Sequence, residues 1–144
     1  MKRNASAVWT GSLKEGKGTM STGSGLLENA QYSFGTRFEE GKGTNPEELV
    51  AAAHAGCFSM ALSAQLTTAG TPPERINTTA TVTFEKTEPG FTITSVHLQT
   101  VGKVAGATEE SFQKAAESAK AGCPISRALN TRITMEALLE SSLN

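Results

Sequence analysis

NPEELVAAAHAGCFSMALSAQLTTAG, residues 45–70, decides how the rest of this chain is read. Asn45 can cap a helix, Pro46 suits its first position, and Glu48 falls three residues after the cap. From Leu49 to Pro73 no side chain is charged when His54 is neutral, although 19% of the whole chain is charged. Ala, Leu and Met dominate the run, which favours helix, and Gly70 followed by Pro72 and Pro73 ends it. A helix apolar on nearly all sides is either enclosed by protein or crosses a membrane. His54, Ser59, Ser63, Gln65, Thr67 and Thr68 make it too polar for a span of about 20 residues. The expectation is a long buried central helix that presents one thiol, Cys57. Its small residues (Ala51, Ala52, Ala53, Ala55, Gly56) let another backbone approach closely, within the fold or in a dimer.

The totals bound the rest. At 144 residues the chain is one domain, residues 1–144, or two small lobes of one fold. A net charge of −1 without a basic patch argues against a nucleic-acid partner, and no membrane association is expected. The start, MKRNASAVWTG, has the charges of a secretion signal but no apolar core behind them, so no targeting segment is expected. Two cysteines in such a chain suggest the cytoplasm, where a structural disulfide is uncommon.

The flanks read as strands and short helices. Ala5–Thr10 and Lys17–Thr22 flank a loop with a glycine at each end, which predicts a hairpin. Tyr32–Phe38 alternates Tyr32, Phe34, Thr36 and Phe38 on one face and reads as a strand, with Arg37 on the opposite face. Glu39–Thr44 is a polar loop into the helix. Asn77–Lys86 alternates Ala80, Val82 and Phe84 against threonines, and Glu88-Pro89-Gly90 turns it into Phe91–Val101. There the apolar phase slips from odd (Phe91, Ile93) to even (Val96, Leu98), which predicts a bulge near Thr94–Ser95. Thr108 caps a second helix that Gly122 stops, Pro124 begins a short one through Leu129, and Arg132–Leu139 alternates as a last strand. The order βββ-α-ββ-αα-β predicts an α+β fold with antiparallel sheets.

Four side chains invite chemistry on composition alone. Free cysteine is usually a buried space-filler, which is the plain reading of Cys57. Cys123 sits at a helix start, where the dipole and free N–H groups favour a thiolate, so it is the more acidic thiol on local grounds. His54, Cys57, His97 and Cys123 could together ligate a metal. Neither cysteine belongs to a CxxC pair, however, and no HxxxH occurs, so no metal is expected. A Cys-His hydrolase lacks any evident third group to orient the histidine.

Asn45-Pro46-Glu47-Glu48-Leu49 with Ala53-His54-Ala55-Gly56-Cys57-Phe58, the upstream Thr36-Arg37-Phe38 and the later Gly122-Cys123-Pro124-Ile125-Ser126 resemble the OsmC/Ohr family. The resemblance covers essentially the whole chain, and the Arg37 loop just ahead of NPEEL is similar to the OsmC branch. It implies an intertwined homodimer and a thiol peroxidase without metal, haem or other cofactor. In that reading organic hydroperoxides are the substrates and a dithiol, such as a lipoylated protein, is the reductant. It further implies Cys57 as peroxidatic cysteine, Cys123 as resolving cysteine, Arg37 as catalytic arginine and Glu47 as its carboxylate partner. Read from the residues themselves, an apolar lining of Phe34, Phe38, Phe58 and Met60 around Cys57 would favour an organic peroxide. The competing class is a non-enzymatic thiol redox sensor or small-ligand binding module on the same fold.

Overall fold

The computed structural model describes residues 1–140. Two compact units divide it, Met1–Leu49 and Val50–Asn144. In the first, β1 (Ala5–Thr10), β2 (Lys17–Thr22) and β3 (Ala30–Tyr32) form an antiparallel sheet in that order. The predicted hairpin is present, with Thr10 opposite Lys17. Trp9 lies opposite Gly18, and Gly18 opposite Tyr32. A Cβ on Gly18 would come within 2.6 Å of both rings, so its absence lets Trp9 and Tyr32 meet across β2, with centroids 5.4 Å apart.

The strand expected over Tyr32–Phe38 ends at Tyr32, and Phe34–Phe38 is a short helix, α1. Ser33 caps it: its hydroxyl accepts the Thr36 N–H at 3.3 Å, and Thr36 Oγ1 accepts the Ser33 N–H at 2.9 Å. Phe34 and Phe38 share a face at a spacing of four whether the period is two or 3.6, so alternation alone could not separate the alternatives. Their rings lie 4.9 Å apart. Arg37 is therefore not set opposite an aromatic face; its guanidinium sits 5.2 Å from the Phe38 ring centroid.

Helix α2 (Pro46–Thr68) is the long helix expected, and the Asn45 side chain accepts the Glu48 N–H at 2.8 Å. The rest of the second unit comprises β4 (Arg75–Thr87), β5 (Gly90–Lys103), α3 (Glu109–Gly122), α4 (Pro124–Ala128) and β6 (Arg132–Leu139). Residues Thr83 and Phe84 pair with Ser95 and Ile93, leaving Thr94 as the extra residue of a bulge, so Ile93 and Val96 face the same side. Sheet order is β4-β5-β6, but β6 runs parallel to β5, which corrects the wholly antiparallel expectation. A parallel neighbour requires a crossover, and α3 with α4 supplies it.

The core of this unit joins Phe58, Leu62 and Leu66 of α2 to Val96 and Leu98 of β5 and to Phe112, Ala116 and Ala119 of α3. Within the single chain, helix α2 is covered along one face. His54, Phe58, Leu62 and Leu66 are buried, whereas Ala52, Gly56, Met60 and Ala64 are exposed, Met60 by 77%. An uncharged sequence looks buried on every side, but this chain covers only one. By length and composition α2 is the one helix among the described residues that could span a membrane, and 22% of its most apolar window is buried in the protein.

Packing here is tight enough to test. A Cβ on Gly102 of β5 would meet the Phe112 ring at 2.6 Å. Gly102→Ala is expected to cost about 1–3 kcal/mol, since overfilling a packed core forces strain. Urea unfolding should show a lower midpoint at unchanged slope; an unchanged midpoint would mean that Phe112 moves aside freely.

Candidate active site

Each unit holds a constellation of its own. In the first, Arg37 in the last turn of α1 grips Glu47 in the first turn of α2. Nη2 donates to Oε1 at 2.9 Å, and Nε donates to Oε1 and Oε2 at 3.2 and 3.3 Å. Glu47 is buried, and a helix N-terminus favours its charge. The joint is braced by Asn45 Nδ2, which donates to the Thr36 carbonyl at 3.0 Å. Thr44 Oγ1 donates to the Glu48 carboxylate at 2.6 Å. Such a two-pronged pair fixes the plane of the guanidinium more firmly than a single contact would.

In the second unit the sulfurs of Cys57 and Cys123 lie 2.8 Å apart, both as free thiols. Cys57 is half-buried on α2; Cys123 is fully buried where α3 ends and α4 begins. Their environments pull apart. Burial pushes the Cys57 thiol up, and so does Cys123 beside it, against a smaller downward pull from the Ile125 N–H. Burial also opposes ionisation of Cys123, but the Cys57 thiol, the N–H and hydroxyl of Ser126 and the Ile125 N–H outweigh it and bring it down. None of these forms a regular helix cap, yet all favour charge on the sulfur. Cys123 is thus the more acidic thiol, as its position at a helix start implies. When it ionises, Cys57 is the donor between the two sulfurs.

His54 and His97 do not meet. Fully buried His54 places Nε2 2.7 Å from Ser126 Oγ, while His97 Nδ1 lies 2.6 Å from Thr134 Oγ1 on the sheet. Among the described residues no three His, Cys, Asp or Glu side chains are grouped to hold a metal.

Of the lining expected around Cys57, Phe34 and Phe38 belong to the first unit, where they flank Arg37. A cleft of about 180 Å³ beside Arg37 is bounded by Trp9, Leu13, Tyr32, Phe34 and Phe38. Phe58 is instead fully buried in the core of the second unit, and Met60 is exposed. Trp9, Leu13 and Tyr32 went unrecognised in the sequence. The chain's single Trp and single Tyr were the available signal, but only strand pairing shows that both flank Gly18.

Two free thiols in contact, carried by an α+β fold with two three-stranded sheets, define a dithiol site. The chain belongs to the family of OsmC-like proteins, whose family model matches residues 39–137, and it falls on the OsmC branch. It is 49% identical over 139 residues to the peroxiredoxin OsmC of Escherichia coli (strain K12), covering 96% of this chain and 97% of the relative. Among solved structures, an organic hydroperoxide resistance protein from Elizabethkingia anophelis, bearing a crystallant-derived thiocyanate, aligns with a TM-score of 0.72. It is 26% identical over 96% of both chains. The organic hydroperoxide resistance protein OhrB of Bacillus subtilis aligns with a TM-score of 0.66 over 94% of this chain and 97% of its own, and at 22% identity shows the shared fold.

The buried histidine makes a pH prediction. Burial holds His54 below its ordinary imidazole value. Unfolded, it takes up a proton near about pH 6.5. Below that value the unfolded state binds more protons than the folded one, so stability is complete above it and falls as pH drops. The thermal midpoint should decline between about pH 7 and about pH 5, with a shallower decline in His54→Gln. Equal slopes in both proteins would remove His54 as the cause.

Proposed function

We propose that this protein is a cysteine-based peroxidase that reduces organic hydroperoxides to alcohols. The observation that carries the reading is the 2.8 Å contact between Cys57 and Cys123 in a member of the OsmC-like family. The 49% identity to a protein named a peroxiredoxin supports the reaction class. The aromatic cleft beside Arg37 supports an organic substrate.

The Cys57 thiolate attacks the terminal oxygen of the hydroperoxide. An S–O bond forms, the O–O bond breaks, and the departing alkoxide takes a proton to become the alcohol. Cys123 then attacks the Cys57 sulfenic acid, closing a disulfide and releasing water before over-oxidation can occur. A dithiol reductant, of which a lipoylated protein is one candidate, restores both thiols.

Ionisation of Cys57 is the difficult requirement, because burial and Cys123 both raise it. A guanidinium near the sulfur reverses that balance. We assign this role to Arg37, with Glu47 holding its plane. Helix α2 is unbroken from Pro46 to Thr68, so Glu47 and Cys57 are separated by about 15 Å along its axis. For that reason we assign Arg37 and Glu47 of one subunit to Cys57 of the other, in a cytoplasmic homodimer. The small residues exposed on α2 suit the close approach of a second copy.

Counting free thiols after adding tert-butyl hydroperoxide tests the reading. Both thiols of the reduced protein should be lost rapidly, Cys57→Ser should lose none, and Cys123→Ser should accumulate a trappable sulfenic acid. Hydrogen peroxide should react more slowly. Thiols that stay reduced would end the proposal, and oxidation without turnover on added dithiol would favour the redox sensor. Arg37→Lys keeps the charge but loses the fork, and should slow Cys57 oxidation by about tenfold or more, the equivalent of one strong hydrogen bond. A mixture of Arg37→Ala and Cys57→Ser chains should recover activity if the site is shared between subunits.

A further inference from the structure

One buried polar contact remains outside this reaction scheme. His54 is fully buried, three residues before Cys57 on α2, with Nε2 2.7 Å from Ser126 Oγ. Ser126 is also buried and is the third residue of α4, whose N-cap is Cys123. Two polar side chains 72 residues apart are thus sealed together beside the dithiol. Burying them is costly unless their hydrogen bonds are made.

The ring's other nitrogen fixes the direction of these bonds. Nδ1 is buried and has no hydrogen-bond partner among the described residues. A buried N–H with nothing to donate to is rarer and costlier than a lone pair that accepts nothing. The proton therefore belongs on Nε2, which donates to Ser126 Oγ. That leaves the hydroxyl's own hydrogen available to an acceptor, and Ser126 is the third residue of the helix that Cys123 caps, the position from which a side chain turns back toward its N-cap.

We propose that His54 and Ser126 are positioning residues for Cys123: His54 orients the Ser126 hydroxyl, which donates to the Cys123 sulfur and keeps it ready as the nucleophile that closes the disulfide. The inference rests on the two-cysteine peroxidase reading, which supplies the Cys57 sulfenic acid. In the step concerned the Cys123 sulfur attacks the Cys57 sulfur. The S–S bond forms, the S–O bond breaks with its electron pair, and the departing hydroxide takes a proton from solvent to become water. Cys123 is oxidised and the sulfenic sulfur is reduced. The titratable groups bearing on Cys123 are Cys57 across the sulfur contact and His54 through Ser126.

The test begins without peroxide. In Cys57→Ser protein, Cys123 is titrated by thiolate ultraviolet absorbance, alone and with Ser126→Ala, His54→Leu or His54→Gln added. The midpoint should rise by about one pH unit in Ser126→Ala and His54→Leu, the scale of one hydrogen bond to a charged group. His54→Gln, whose amide can carry the donor, should stay near the parent. With Cys57 present, Ser126→Ala treated with tert-butyl hydroperoxide should yield sulfenic acid that a 1,3-diketone captures, where the parent yields disulfide. Superimposable titrations with no captured sulfenic acid would overturn the inference while leaving the peroxidase reading intact. If His54→Gln titrates like His54→Leu, the orienting role of His54 is overturned. A parent whose Cys57 resists peroxide defeats the peroxidase reading instead, and the titration still judges His54 and Ser126.

Discussion

Two sulfurs held 2.8 Å apart from positions 66 residues apart in sequence are the constraint on which the second unit's architecture converges. Cys57 sits beside the buried row His54, Phe58, Leu62 and Leu66 on α2, which anchors its backbone and leaves the thiol half-buried. Cys123 is placed by a different device. Pro124 has no N–H to continue α3 and pushes the preceding residue into an extended conformation. Cys123 accordingly has ψ 126° and serves as the C-cap of one helix and the N-cap of the next. A one-residue joint between helices leaves its side chain little freedom. The same α3–α4 segment is the crossover that brings β6 alongside β5, so the sheet and the thiol contact depend on one connection.

Such a pair divides charge unequally. Two thiols in contact cannot both ionise readily, and whichever gains the better donors takes the negative charge. In this fold the donors gather on Cys123: the N–H groups of Ile125 and Ser126 and the Ser126 hydroxyl. That suits a resolving nucleophile and works against Cys57. The first unit carries a guanidinium whose plane is set by a buried carboxylate and whose ring neighbour is Phe38. The proposed chemistry therefore needs a cation to shift charge between sulfurs already in contact, and it needs no rearrangement of the backbone that carries them.

What the sequence disclosed followed from how local each determinant was. The N-terminal hairpin, the start of α2, the cap at Thr108 and the Thr94 bulge were legible because turn residues, capping side chains and a phase slip act within a few positions. Segment 34–38 was misread as strand because its aromatic spacing suits both periods, and the deciding signal was the Ser33–Thr36 capping pair. The direction of β6 was not legible, since an alternating strand carries no mark of whether its neighbour is parallel. Arg37, Glu47, Cys57 and Cys123 were named through motif resemblance, and the structure joins them as two pairs. Ser126 lies within the Gly122–Ser126 motif, yet its hydrogen-bond partner is distant in sequence. Nothing local announces a partner 72 residues away.

Helix α2 shows how one sequence property can serve two physical ends. Its uncharged run lets Phe58, Leu62 and Leu66 enter a core, and it also leaves Ala52, Gly56, Met60 and Ala64 exposed with no charge to oppose further burial. A helix designed only for one covered face would place Lys or Glu on the other, where such residues cost nothing and add solubility. Their absence is unexplained by the single chain. It is explained if the second face is also covered, as the proposed subunit-shared site requires. The length of the helix points the same way. A continuous element that begins at Glu47 and carries Cys57 ten residues on cannot fold back to bring its own first turn to the thiol. A straight helix and an uncharged second face are then two consequences of one proposed arrangement, in which activation of the thiol would be completed from outside the chain and its resolution built within it.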